Sequence, residues 1–424
     1  MSQYRAYPAY KDSGVEWIGQ VPEHWKVARV KRLASLRNER RNDVSTDTIY
    51  IGLEDVEAGS GQYKPTNGSS RQSEDSTVGI FYEGDVLYGK LRPYLRKAII
   101  SEMAGCCSTE FLVLRAEKTE PRWLQEWLLT PDVTHQIVSG CEGAKMPRAD
   151  WGHIGSIEVV YPDQPEQAKI LTSLDRETAR IDALIEKKTR FIELLNEKRQ
   201  ALITHAVTKG LDPNVKMKDS GIEWIGQVPE HWKVARVKRL ASLRNERRND
   251  VSTDTIYIGL EDVEAGSGQY KPTNGSSRQS EDSTVGIFYE GDVLYGKLRP
   301  YLRKAIISEM AGCCSTEFLV LRAEKTEPRW LQEWLLTPDV THQIVSGCEG
   351  AKMPRADWGH IGSIEVVYPD QPEQAKILTS LDRETARIDA LIGKAEQSIT
   401  LLKERRAAFI TAAVTGQIDL RGKQ

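Results

Sequence analysis

PEQAKILTSLDRETARIDALI, residues 165 to 185, returns letter for letter as residues 372 to 392, and its reading decides how the chain is built. Ile170, Leu174, Ile181 and Leu184, continued by Phe191, Leu195 and Leu202, recur on steps of three, four or seven. That spacing is the apolar seam of a coiled-coil helix. A helix is therefore expected from Pro165 to about Val207, ~64 Å long at about 1.5 Å per residue. The second copy repeats the seam with Ile377, Leu381, Ile388, Leu391, Leu402 and Phe409. Glu177 and Lys188 interrupt the first seam, so the zipper is imperfect. The plainer alternative is a single amphipathic helix lying on its own globular domain.

The repeat reaches far beyond the helix. Residues 11 to 185 recur as 218 to 392 with one difference, Val15 against Ile222. The duplication is therefore very recent or made by hand. After Ile185 the copies part: EKKTRFIELLNEKRQALITHAVTKGLD faces GKAEQSITLLKERRAAFITAAVTGQID, alike in pattern and different in detail. Ahead of each helix, short β-rich runs (TIYIGL, VGIFYEGDVLYG, KAIISE, EFLVLRA, SIEVVYP) alternate with turn signals, and PRWLQEWLLT and PDVTHQIV read as helices.

The expected fold class is α/β (α+β): two copies of one mixed domain joined by two long coiled-coil helices. The division is a first domain over 1–162, a helix over 163–208, a second domain over 209–369, and a second helix with its tail over 370–424. Chain order carries a geometric consequence. The first helix leads from the first domain to the second, and the second helix returns by pseudo-two-fold symmetry, so the two are expected antiparallel.

Composition sets limits on function. The chain has 424 residues, 28% of them charged, and a net charge of -3; mean hydropathy is -0.48. No apolar run approaches the roughly 18 residues a membrane helix needs. MSQYRAYPAYKDSG lacks the pattern of a signal peptide, and a cytoplasmic location is expected. The cysteines, Cys106, Cys107, Cys141, Cys313, Cys314 and Cys348, form no C-x-x-C pair. A nucleic-acid surface must then be a local patch, because the whole molecule is no polycation.

Such a patch is written at residues 84 to 97, GDVLYGKLRPYLRK. Gly84, Gly89 and Lys90 imitate the opening of a phosphate-binding loop, but Leu91 stands where that loop needs a hydroxyl for magnesium. The same run carries Lys90, Arg92, Arg96 and Lys97 with Tyr88 and Tyr94, and from residue 86 onward no acidic residue. Lysine and arginine displace counterions from phosphates, and arginine binds guanine bidentately. The candidate DNA contacts are Arg71, Lys90, Arg92, Tyr94, Arg96, Lys145 and Arg148, with their repeats Arg278, Lys297, Arg299, Tyr301, Arg303, Lys352 and Arg355. Isolated members such as Arg71 read equally well as solvated surface charges. Trp123 and Trp151 read as core.

No catalytic constellation stands out. There is no Asn/Asp-Pro-Pro-aromatic motif of an amino methyltransferase, and His24, His135 and His153 are scattered without metal-ligand spacing. Glu54 with Asp55, or Glu74 with Asp75, would be the carboxylates of a nuclease, but acidic loop residues are ordinarily solvated. Two other classes compete with DNA recognition: a nucleotide-binding protein built on Gly84 to Lys90, and a helical adaptor whose globular ends grip other proteins.

YPAYKDSGVEWIGQVPEHWKV (7–27), GDVLYGKLRPYL (84–95) followed by CSTEFLVLR (107–115), and PDQPEQAKI (162–170) occur in that order. Together they resemble the specificity subunit of type I restriction-modification systems over essentially the whole chain. The resemblance implies two target-recognition domains, matching about 20–160 and 227–367, and two helices, matching about 165–207 and 372–414. It implies a DNA-binding subunit without its own activity, each domain reading half of a bipartite site. The partners implied are two methyltransferase subunits, which bring S-adenosylmethionine and modify adenine, and two ATP-driven restriction subunits. No cofactor is expected on this chain; S-adenosylmethionine, ATP and Mg belong to the partners. The family usually pairs two different recognition domains. Here they are the same, which puts the usual asymmetric target in doubt.

Overall fold

A computed structural model describes residues 5–66, 76–141, 145–252, 254–272, 283–348 and 353–422. They divide into two compact units, one comprising residues up to Lys188 and those from Gln397 onward, the other Thr189 to Glu396. Each unit is a sheet-rich domain with a segment of both long helices.

The first domain runs β1 (Tyr10–Asp12), β2 (Gln20–Pro22), β3 (Lys26–Arg29), β4 (Ala34–Leu36), β5 (Arg40–Arg41), β6 (Tyr50–Ile51), β7 (Val78–Phe81), β8 (Val86–Gly89), β9 (Ala98–Ile100), β10 (Gly105–Cys107) and β11 (Phe111–Ala116). Then come α1 (Pro121–Leu129), α2 (Pro131–Ser139), α3 (Trp151–Ser156) and β12 (Glu158–Tyr161). Two four-stranded sheets have the orders β4-β11-β8-β9 and β5-β7-β10-β6, and β1-β2 and β12-β3 form separate pairs. Among the described residues of this domain, only β6 against β10 is parallel.

The VLYG run of β8 shows why the domain has layers. All four of its residues are buried, and alternate side chains face opposite ways. Val86 and Tyr88 join Leu112, Leu114 and the helix residues Leu124, Trp127 and Ile137. Leu87 joins Phe81, Ile99, Phe111 and Val113 on the side of the second sheet. A strand covered on both faces reads as one apolar run, as this one does. The phosphate-loop reading fails for the same reason. Most of the span from Gly84 to Lys90 is strand, and only a three-residue 3-10 turn, Pro93–Leu95, comes before the next strand. Gly84, at φ +82°, is the turn before β8, and buried Asp85 accepts from Arg37 Nε (2.8 Å) and Tyr82 N (2.8 Å).

The second unit repeats these elements from β13 (Met217–Asp219) to β24 (Glu365–Tyr368), with α5 (Pro328–Leu335), α6 (Pro338–Ser346) and α7 (Trp358–Ser363). The long helices are α4 (Gln164–Lys209) and α8 (Gln371–Val414). Their 46 and 44 residues correspond to ~69 and ~66 Å.

The PEQ sequence starts α4 by a division of labour. Asp163 Oδ1 caps the helix by accepting from Glu166 N (3.0 Å), and Pro165 sits in the first turn, where no donor is required. Gln167, with no exposure, accepts at Oε1 from Thr119 Oγ1 (2.9 Å) and Glu120 N (3.0 Å), and donates from Nε2 to Pro162 O (3.0 Å). Glu166 accepts from Trp25 Nε1 (3.2 Å) and Tyr7 OH (3.1 Å), and His24 Nε2 lies 2.7 Å away. Burial and this carboxylate push the Tyr7 phenol far above its usual range, so it stays a donor. Gly210 and Gly416, at φ +77° and +76°, close the helices in the left-handed conformation that glycine adopts freely.

Within each unit the helical segments run antiparallel. In the first, Ile170 and Leu174 share a core with Phe409, Ile410 and Ala413, and further along α4 Asp182 meets Arg406 (2.9 Å), earlier in α8. In the second, Arg199 meets Asp389 (3.0 Å), and Ile203 and Val207 share a core with the earlier Ile377, Leu378 and Leu381.

The expected seam needs correction. Ile170, Leu174, Ile181 and Leu195 are buried, but Leu184, Phe191 and Leu391 are 48%, 45% and 46% exposed. Leu195, beyond both Leu184 and Phe191 in α4, is buried, so the seam is interrupted at those two positions rather than lost along the helix. Ile203, Ala206 and Val207 are buried further along. Among the described residues no helix is long and apolar enough to cross a membrane.

The seam predicts a contrast measurable by chemical denaturation. Leu195→Glu, placing a charge at a position 7% exposed, should lower stability by ~3 kcal/mol or more. Leu184→Glu should change it by no more than about 0.5 kcal/mol.

Candidate nucleic-acid interface

Lys90 to Lys97 leaves β8 and turns back into β9, closed by Gly89 N donating to Lys97 O (2.8 Å). The turn is a short 3-10 segment, Pro93–Leu95, between Arg92 (φ 52°, ψ 60°) and Arg96 (φ 49°, ψ 58°). Both arginines hold the left-handed conformation, which costs a residue with a Cβ about 1–2 kcal/mol. Proline contributes at Arg92, since the residue before proline is disfavoured in the right-handed helical region. Strain of this kind persists only where neighbours hold it. Here Arg92 N donates to Pro147 O, Lys90 N to Glu110 O and Ala149 N to Lys90 O, each at 2.9 Å, and Leu91 bridges Arg148. The fold thus joins two segments, 90–97 and 145–149, that lie apart in the sequence.

On the joined segments Arg92, Lys145, Met146 and Arg148 are exposed, and Tyr94 is 49% exposed. Arg148 Nη2 donates to Glu110 Oε1 (3.0 Å). Lys90, Arg92 and Lys145 have no side-chain partner among the described residues, so their charges are available to an anion. The second unit reproduces the loop, with Arg299 at φ 51°, Tyr301 49% exposed and Arg355 3.0 Å from Glu317. Lys297 N donates to Glu317 O there.

Other sequence candidates stand elsewhere. Arg96 Nη1 donates to Leu129 O (3.4 Å) at the end of α1 and lines a cleft of about 620 Å³ with Glu57, Asp182, Lys403 and Arg406. Its repeat Arg303 donates to Leu336 O (3.3 Å) and also to Gln200 Oε1 (3.4 Å). These two arginines are engaged within their units, and Lys97 Nζ likewise donates to Leu53 O (2.6 Å). Arg71, Arg278 and Lys352 lie outside the described residues. Sequence reading missed Glu110 and Glu317, which sit inside the basic surface and carry no local signal of it.

The remaining polar residues serve the fold. Asp55 accepts from Gly52 N (2.8 Å) and Thr66 N (2.9 Å), whereas Glu74 and Asp75 lie outside the described residues. His153 Nε2 is 2.8 Å from Gln136 O. The cysteines are unbridged, and burial pushes the Cys107 thiol up to about 12, leaving it a poor nucleophile. Among the described residues no group of His, Cys, Asp and Glu could hold a metal ion. The geometry suits reversible contact with a polyanion: unpaired cations, an exposed tyrosine and an arginine held in place, on a rigid hairpin.

No family model matches the chain. It is 21% identical over 346 residues to the type I restriction enzyme EcoDI specificity subunit of Escherichia coli, covering 78% of this chain and 74% of that protein. Among solved structures, a chain of a type I restriction-modification system, studied for complex assembly and conformational transition, matches with a TM-score of 0.62. It is 18% identical, and 95% of this chain covers 99% of it. The specificity subunit from Thermoanaerobacter tengcongensis matches with a TM-score of 0.50 and 18% identity, over 94% of this chain and 98% of that one. The likeness drawn from the motifs is borne out by both kinds of comparison: in sequence and in fold, this chain resembles the specificity subunits of type I restriction-modification systems.

Proposed function

We propose that this chain is the DNA-recognition subunit of a type I restriction-modification complex and carries no active site of its own. The observation that supports this most is the exposed basic loop with its strained arginine, whose side chain has no partner among the described residues, present twice on nearly identical domains. Each domain reads one half of a bipartite site. The long helices form much of the platform for two methyltransferase subunits that modify adenine, and two restriction subunits join the complex. S-adenosylmethionine, ATP and Mg reside on those partners. The division into recognition domains over 1–162 and 209–369, with helices over 163–208 and 370–424, belongs to the same reading.

Identical reading surfaces impose their symmetry on the target. The site should be an interrupted palindrome with an adenine in each half, its half-site centres on the order of 10 base pairs apart, near one turn of DNA. Sequencing the modified bases in a host that carries this chain and its methyltransferase tests it. Two different half-sites would show that the duplicated domains are not the readers.

Arg92 and Arg299 are the cations to remove first. Changing both to Ala should weaken DNA binding by ~1–3 kcal/mol for each arginine that touches a base. Glycine tolerates the left-handed backbone, so Arg92→Gly with Arg299→Gly should weaken DNA binding equally while leaving the melting temperature no lower than that of the Ala pair. An unchanged affinity and salt slope would remove these residues from the interface.

The apolar residues that the helices leave exposed, Leu184 and Leu401 in the first unit and Phe191, Leu194 and Leu391 in the second, are the surface the methyltransferase subunits would cover. Leu184→Lys and Leu391→Lys should reduce co-purification of the methyltransferase at least tenfold, with thermal unfolding of the chain unchanged. Full retention of the partner would place its docking surface elsewhere.

A further inference from the structure

Glu110 puts a negative charge beside the cations of the joined segments, as Glu317 does in the second unit. Its backbone carbonyl accepts from Lys90 N, its Oε1 accepts from Arg148 Nη2 (3.0 Å), and its Oε2 is buried with no partner. Glu317 repeats each feature with Lys297 and Arg355. The Glu110 side chain is 24% exposed and that of Arg148 60%, so the carboxylate is tucked beneath a guanidinium that faces outward. Two consequences follow from elementary physics. A guanidinium tied to a carboxylate loses part of its rotamer freedom before any ligand arrives, and its planar fork keeps N–H donors for a second acceptor. The pair is also electrically neutral, so it releases few counterions when it meets DNA. Arg92, Lys90 and Lys145, without partners, have the opposite character.

We infer that the two kinds of cation divide the work: Arg148, held by Glu110, reads a base edge, while Arg92, Lys90 and Lys145 contact phosphates. The same holds for Arg355 and Glu317 in the second unit. Guanine is the matching base, since its O6 and N7 present two acceptors to an arginine fork in the major groove. Glu110 is a positioning residue in this scheme, acting through Arg148. The inference rests on the DNA-recognition reading above.

The test uses the full chain and a pool of randomised DNA duplexes, with binding to the enriched duplex measured across a salt series. Arg148→Ala with Arg355→Ala should erase preference at one position per half-site, about 5- to 150-fold of discrimination, and leave the salt slope unchanged. Glu110→Gln with Glu317→Gln should blur that same position while binding to unrelated DNA holds or rises. Glu110→Asp with Glu317→Asp, which keeps the charge, should restore part of the preference. Arg92→Ala with Arg299→Ala should do the converse, lowering the magnitude of the slope by about 0.9 for each phosphate no longer neutralised with the enriched motif intact. Melting curves of each variant exclude loss of fold. A reduced salt slope for the Arg148 pair, or an unaltered motif for the Glu110 pair, overturns the division of labour while DNA recognition itself stands. A wild-type chain that enriches no motif overturns both.

Discussion

Gln167 and Glu166, in the first turn of α4, are the point on which the first unit turns. Three hydrogen bonds from one fully buried glutamine tie the long helix to the start of α1 and to the end of β12. Leaving such groups unpaired would cost about 1–3 kcal/mol each, so the direction in which the helix leaves the domain is not free to vary. Glu166 adds Trp25 and His24 from the β2–β3 turn. The basic loop at 90–97 is carried by β8 and β9, whose sheet packs on α1 through Tyr88, Ala98 and Trp127. Any reading surface on that loop is therefore oriented by the helix start, several layers away.

The second unit uses the same residues, Glu373 and Gln374, with the same partners in Trp232, His231, Thr326 and Glu327. One difference is instructive. In the first unit residues 5–7 and 419–421 meet at the helix start: Arg5 bridges Asp419, Tyr7 donates to Glu166, and Arg421 lies over the Tyr7 ring and 3.7 Å from Glu166. In the second, the chain passes without a break from Gly210 to β13. The Glu166 side chain is accordingly 9% exposed and that of Glu373 31%. Identical local sequence thus acquires different burial from what the rest of the chain lays across it.

The strained loop and the ordered helix start complement each other. Left-handed arginines at 92 and 96 are tolerated because Pro147, Lys90 and Ala149 close backbone hydrogen bonds around them, and because the layers beneath are filled. A loop fixed in this way holds the backbone beneath its cations in place, while the unpartnered side chains of Lys90 and Arg92 keep their own freedom.

Much was legible in the sequence by itself. A repeat from 11–185 to 218–392 dictates two like domains and heptad-spaced apolar residues dictate long helices, because each is a regularity that local sequence carries, and Leu91, standing where a phosphate loop needs a hydroxyl, speaks against that loop. The resemblance to type I specificity subunits came from motifs of the same local kind. What the sequence could not show depends on residues far apart in the chain. Arg96 and Arg92 look alike in one basic run, yet Arg96 is engaged by Leu129 and Arg92 is left open. Leu184, Phe191 and Leu391 fit the seam on paper, yet the packing around them leaves them exposed while Leu195 and Phe409 further along are buried. Glu110 enters the basic surface only when β11 pairs with β8, at Phe111 and Gly89. Spacing along the chain determines periodicity; the pairing of distant strands and the packing of helices decide which charges meet, and no local pattern carries that information.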